Sequence, residues 1–364
     1  MIMNAHTRKL HQSGVSIWLD NITRSLLTSG ALQNYIEELT VTGLTSNPTI
    51  FDHAIANTDD YDKAIHMHKN AGKSAEKIFT ELALEDLSEA ADLFRPLYEQ
   101  TNGVDGWVSL EVSPLLAYDT ESTIRAAGEL YKLANRPNLF IKIPGTPQGL
   151  PAIEQAIFAG VPVNVTLLFS AEQYAAAANA YLRGVERRIA AGLNPDVRSV
   201  ASLFISRWDK AIMGKVPSEL QNKLGISVAQ CALGAYQKFL NSNRMLTAMN
   251  FGAQPQRLLW ASTGTKDPRA SDILYIRALL APYTINTMPE QTLLAYADHG
   301  ELGPSLYIDG NGAYQTLAAF EKAGIGYEQL ADKLQKDGAD SFVKSWNDLL
   351  ATIESKMSSV RAKG

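Results

Sequence analysis

One cysteine, Cys231, stands in the 364 residues, so no internal disulfide can form and a cysteine-based metal cluster is not expected. No stretch approaches the roughly 18 apolar residues of a membrane span, so no membrane partner is expected. An excess of positive charge is also missing: 33 Lys and Arg stand against 38 Asp and Glu, a net charge of −5. Without a long basic run, electrostatic binding to nucleic acid is disfavoured. The opening residues 1–14 are polar, carry His6, Arg8, Lys9 and His11, and lack the apolar centre of a secretory signal. A cytoplasmic, reducing location is the expectation. What is present is an ordinary mixture, 46% hydrophobic and 20% charged. The chain is long enough to stabilise its own core.

Strand-like runs alternate with helical patterns along the chain. The strand candidates are 16–20, 42–47, 106–112, 139–144, 162–168, 199–206, 258–262 and 284–288. Most are short apolar runs ending in Ser, Thr, Asn, Pro or Gly. Helical content lies between them, as in 121–134, 150–159 and 171–191. Such alternation argues for parallel pairing, and eight units suit a closed (β/α)₈ barrel better than an open sheet. Two connections exceed one crossover helix, 51–104 and 208–257, with helical patterns at 77–100 and 228–240. They predict helical insertions after strands two and six. Residues about 310–364 predict a C-terminal helical extension, with Trp346 as an anchor. No linker marks a second domain, so one barrel domain is expected over 1–364.

Alternate residues of a barrel strand face the helices and the interior. In 139–144, Leu139, Ile141 and Ile143 form the helix-facing side, which turns Phe140 and Lys142 inward. The same test turns Trp18 and Asp20, Ser109 and Glu111, and Asn164 and Thr166 inward, with Val161, Val163, Val165 and Leu167 facing out. It also places Ser202, Phe204 and Ser206 inside, and puts Thr45 and Asn47 on one face. Several of these polar groups fall late in their strands, at the end where barrel active sites form. Each alone has a bland reading: an edge lysine, half of a structural ion pair, a satisfied Asn, Thr or Ser. Unpaired in an apolar interior they would be costly, so their agreement points to a shared polar pocket.

Burial disfavours the ammonium form of a lysine. A neutral amine can attack a carbonyl to give a Schiff base, an electron sink that permits C–C cleavage beside the former carbonyl. That chemistry needs a base, a proton shuttle and groups that fix hydroxyls. Asp20 and Glu111 can supply the first two; Asn47, Asn164 and Ser202 can supply the third.

The segments Leu19-Asp20, Thr45-Ser46-Asn47-Pro48, Ser109-Leu110-Glu111-Val112, Phe140-Ile141-Lys142-Ile143-Pro144, Asn164-Val165-Thr166-Leu167-Leu168-Phe169-Ser170 and Ser202-Leu203-Phe204-Ile205-Ser206-Arg207 resemble those of the transaldolase family, in its order and spacing. Length and the helical C-terminus resemble its longer bacterial branch. The resemblance implies a metal-free, cofactor-free transfer of a dihydroxyacetone unit in the pentose phosphate pathway. The donor would be sedoheptulose 7-phosphate or fructose 6-phosphate, and the acceptor glyceraldehyde 3-phosphate or erythrose 4-phosphate. It implies Lys142 as the Schiff-base lysine and Asp20 as the base for the C4 hydroxyl. Glu111 and Thr166 would hold a proton-shuttling water. Asn47, Asn164 and Ser202 would bind the dihydroxyacetone hydroxyls, Phe204 would shape the pocket, and Arg207 would take the phosphate.

One departure stands at the seventh strand. Many members have Ala-Ser-x-Arg there, with the Arg on phosphate; this chain has Ala261-Ser262-Thr263-Gly264-Thr265-Lys266. Lys266 with nearby turn N–H groups is the expected replacement beside Ser262, although a plain βα turn fits equally. Two rivals remain at this stage: an aldolase releasing free dihydroxyacetone, and a non-catalytic barrel that only binds sugar phosphates. A monomer or homodimer is expected.

Other features carry no site. His66 and His68, two apart, do not share a helix face and read as surface residues. Residues 145–149 read as the turn after the lysine strand, and Cys231 as core. Arg183, Arg187 and Arg188 read as a solvated face, and 173–182 as packing.

Overall fold

The computed structural model describes residues 3–306 and 311–358. Its centre is a closed parallel barrel: β1 (Val15–Asp20), β2 (Val41–Thr45), β3 (Trp107–Glu111), β4 (Leu139–Pro144), β5 (Val163–Leu168), β6 (Ser199–Phe204), β7 (Arg257–Ala261) and β8 (Thr284–Met288), paired in chain order, with β8 closing on β1. Every expected strand exists, and β4 and β8 have the expected bounds. Helices form the outer layer, as the αβ alternation requires.

The lower interior is aromatic. Trp107 stacks on Phe140 with ring centres 4.0 Å apart, and Trp18 lies 6.2 Å from Phe140. Gly43 leaves the space for Trp18: a Cβ there would stand 2.5 Å from the indole. This apolar plug floors the polar cavity at the strands' carboxyl ends.

The connection after β2 forms the helices Pro48–Asn57, Asp62–Asn70 and Ala75–Gln100. The connection after β6 forms Ser206–Ile212, a 3₁₀ turn, Leu224–Leu240 and Asn243–Asn250. The C-terminal extension forms Asn311–Lys322 and Tyr327–Ser358. Trp346 is buried edge-on against Phe79, so the last helix is anchored on the first insertion. No described helix is long and apolar enough to cross a membrane.

Alternation fails at three points. β6 stops at Phe204, because Ile205 leaves extended geometry (φ −101°, ψ −66°). Ser206 therefore does not face the interior from a strand. It opens a helix and shares a 3.0 Å hydrogen bond with Ser262. In β5 the register shifts between Val165 and Leu168, and Leu167 takes a left-handed φ of 58°. Leu167 thus reaches the C-terminal helix at Gly338 rather than continuing the outward row. The row also starts late, since β5 begins at Val163 and Val161 precedes it.

The arginines stay part-exposed, Arg183 and Arg187 at 39% and 41% of their side chains, as a solvated face requires, whereas the surface reading of the histidines is corrected. Arg183 and Arg187 ion-pair with Glu154, and Arg188 donates to the Phe158 carbonyl, so these arginines tie their helix to Gly149–Ala159. His66 and His68 are half-buried, and His68 stands 3.0 Å from Glu81. The 145–149 turn, buried Cys231 and the packed tyrosines Tyr174 and Tyr181 are as expected.

Candidate active site

A cavity of about 490 Å³ opens at the carboxyl ends of the strands. That size suits a small ligand. Lys142 projects into it from β4, with a side chain only 6% exposed. Its Nζ donates to the Ser46 carbonyl at 3.0 Å and stands 3.5 Å from Glu111 Oε2. The strand register causes this meeting, because Glu111, Lys142 and Asn164 are direct neighbours on β3, β4 and β5.

Asp20 enters the cavity at the end of β1. Its Oδ1 accepts from Thr45 Oγ1 at 2.8 Å, and Thr45 Oγ1 lies 2.7 Å from Thr287 Oγ1. With Thr45 donating to Asp20, Thr287 donates to Thr45. Burial pushes the carboxyls of Asp20 and Glu111 above the ordinary range, and the charge of Lys142 opposes it at both. Neither Glu111 oxygen has a hydrogen-bond partner among the described residues, and neither does Thr166 Oγ1.

The amides are oriented by local structure. Asn47 is the N-cap of Pro48–Asn57, its Oδ1 accepting from the Ile50 N–H at 3.1 Å, with Pro48 in the first turn. The cap uses the oxygen, so Nδ2 is the end free for a ligand. Asn164 is fully buried; it donates to Ser109 Oγ at 3.0 Å and accepts from Ser202 Oγ at 2.7 Å. Ser202 and Phe204 line the cavity, whereas Glu111, Asn164 and Thr166 lie buried beside it.

One edge of the cavity is cationic. Arg207 and Lys266 both line it, as do Ser262 and Gly264. Neither cation has a hydrogen bond or ion pair to any described residue. Burial, then the charges of Lys210 and Arg207, push the Lys266 amine below its usual value. The nearby Asp20 charge opposes that fall, but two cations crowded together without a direct ion pair still favour an anion between them.

Of the eleven expected site residues, eight line the cavity; Glu111 and Asn164 adjoin it through Lys142 and Ser202, and Thr166 is buried on β5 with its hydroxyl unbonded among the described residues. Sequence reasoning missed Thr287, Phe342 and the lining face of Pro48–Asn57, including Ile50 and His53. β8 has no clean apolar face to reveal an inward set, and nothing local says what a distant helix covers. Of the aromatics that could cover the pocket, Tyr314 is exposed and Trp346 packs elsewhere; Tyr307 lies outside the described residues.

A barrel that buries one amine against a carboxylate, with a second carboxylate lining the same cavity, has the equipment of a class I, Schiff-base-forming aldolase. The model of the family described as Transaldolase/Fructose-6-phosphate aldolase matches residues 17–353. The chain belongs to that family. It is 43% identical to a protein named Transaldolase from Saccharopolyspora erythraea, over 98% of this chain and 99% of that one. It is equally identical, with the same coverage, to a Transaldolase from Thermobifida fusca. It is 40% identical to Transaldolase 2 of a Nostoc species, over 97% of each chain.

Proposed function

We propose that the chain moves a dihydroxyacetone unit from a ketose phosphate to an aldose phosphate, the transaldolase reaction, through a Schiff base on Lys142. The observation that carries this is the Lys142 amine, buried 3.5 Å from Glu111 and held by the Ser46 carbonyl. Its nitrogen attacks the C2 carbonyl. The oxygens of Glu111 and Thr166, which accept no hydrogen bond from a described residue, suit a shared water that relays protons as the carbinolamine loses water. Asp20 takes the C4 hydroxyl proton, the C3–C4 bond breaks, and the aldose phosphate leaves. The remaining enamine adds to the acceptor aldehyde while Asp20 returns the proton, and hydrolysis frees Lys142. Asn47 and Ser202, with Asn164 behind it, fix the dihydroxyacetone hydroxyls. Borohydride reduction with fructose 6-phosphate is expected to leave a three-carbon or six-carbon adduct on Lys142, read by peptide mass spectrometry. No adduct on any lysine would leave only a binding barrel. Turnover of fructose 6-phosphate without an acceptor aldehyde would mark release of free dihydroxyacetone instead of transfer.

Phosphate recognition falls to Arg207 and Lys266, with Lys266 standing in for the arginine that Gly264 replaces. Lys266→Met is expected to raise KM for phosphorylated acceptors about tenfold or more, the size of one charged hydrogen bond. KM for unphosphorylated glyceraldehyde should rise less. Equal KM changes for both acceptors would remove Lys266 from the phosphate site.

A further inference from the structure

Arg207 presents five N–H donors from a half-buried position and has no acceptor among the described residues. What holds it is aromatic. Its guanidinium lies 5.3 Å from the Phe204 ring centre and 5.8 Å from that of Phe342. Phe204 belongs to the barrel, whereas Phe342 arrives on the helix Tyr327–Ser358, far along the chain. Phe342 also lines the cavity, 6.0 Å from Lys142 Nζ.

The helix is fastened so that this ring reaches the site. Gln335 is buried and donates through Nε2 to the carbonyls of Leu167 at 2.9 Å and Gly145 at 3.2 Å. Those carbonyls lie at the bulge of β5 and just after the lysine strand. Gly338, one turn on, permits the close approach: a Cβ there would stand 2.9 Å from Leu167 Cδ2 and 3.6 Å from Arg207 Nη1. Phe342 follows one further turn along the same face. Thr49 and Ser345 then join the helix to Pro48–Asn57 at 2.8 Å.

We propose that Phe342 is a positioning residue for phosphate recognition, clamping the Arg207 guanidinium against Phe204 so that its fork meets the sugar phosphate already oriented. A free arginine side chain loses much rotamer freedom on binding, and a stacked one has lost it beforehand. The ring also excludes water from the guanidinium, which strengthens both the stacking and the phosphate bond. The assignment rests on the reading of Arg207 as a phosphate ligand in a Lys142 Schiff-base enzyme.

Phe342→Leu keeps apolar bulk and removes the π face; Phe342→Tyr keeps the face. In Phe342→Leu, KM for glyceraldehyde 3-phosphate is expected to rise about tenfold more than KM for glyceraldehyde, the scale of one desolvated cation–π contact. The inhibition constant of inorganic phosphate should rise in parallel. Phe342→Tyr should restore most of both. An unchanged KM ratio and phosphate inhibition in Phe342→Leu, or a Tyr variant as impaired as the Leu variant, would overturn the clamp. A parent enzyme that takes no borohydride adduct on Lys142, or whose KM ignores the phosphate, would instead overturn the reading beneath it.

Discussion

Lys142→Met is expected to lower transfer by on the order of 10⁴-fold or more and to leave nothing for borohydride to trap. Methionine keeps the length and apolar stem of lysine, so the barrel interior stays filled. What is lost is the one amine, among the described residues, that pairs with Glu111. Lys266 is the other lysine lining the cavity, but it has no contact with Glu111 and sits with Arg207 and Lys210 at the cationic edge. It cannot take the same proton relay. An adduct that moved to Lys266, or activity retained within about tenfold of the parent, would overturn the assignment. The variant also makes a stability prediction. Removing one member of a buried pair costs about 3–5 kcal/mol when the remaining charge stays unpaired. Burial already raises the Glu111 carboxyl, and the Lys142 charge is what opposes that rise. Without it the folded-state value climbs further above the unfolded one. A raised folded value means that the folded chain keeps its proton to higher pH. The stability this gives is full at low pH and is lost as pH rises through the folded value. The melting temperature of Lys142→Met should therefore fall further below the parent at pH 8 than at pH 5. A constant difference would show that Glu111 does not depend on Lys142.

The inward set was legible because strand side chains alternate with period two, and the apolar residues marked the helix-facing side in β1, β3, β4, β5 and β6. Once Ile141 and Ile143 are placed outward, Lys142 can only point inward. Neighbouring strands repeat the test, and parallel register makes the results converge. The same logic fails where the backbone departs from regular extension, as at Leu167 and Ser206. Neither a bulge nor a strand's last residue leaves a local signature in apolar runs. Phe342 illustrates a different limit. Its helix reads as amphipathic, but amphipathicity says only that one face is buried, not against what. The contact with Arg207 depends on the Gln335 hydrogen bonds and on the absence of a side chain at Gly338, both between segments remote in sequence. The Asp20–Thr45–Thr287 chain is hidden likewise, because it closes the barrel between its first, second and last strands.

Asp20→Asn is expected to slow transfer by about 10²–10⁴-fold, the range for loss of a positioned general base, while the Lys142 adduct still forms on borohydride treatment. The asparagine oxygen can still accept from Thr45, so the side chain keeps its place; it cannot hold a proton taken from the C4 hydroxyl. Imine formation does not use that proton, which is why trapping survives and cleavage does not. The pH profile separates this from a loss of shape. Burial raises the Asp20 carboxyl, with Lys142, the Thr45 hydroxyl, Lys266 and Arg207 opposing it. As a base Asp20 must be ionised. In the parent, then, kcat should fall as pH drops through a value above the ordinary carboxylate range of about 4. In Asp20→Asn that acid limb should be missing from the residual cleavage rate. A variant that keeps the limb, or that turns over at the parental rate, would transfer the base role to another group. Glu111 is then the remaining buried carboxylate beside Lys142, and the limb would have to vanish in Glu111→Gln.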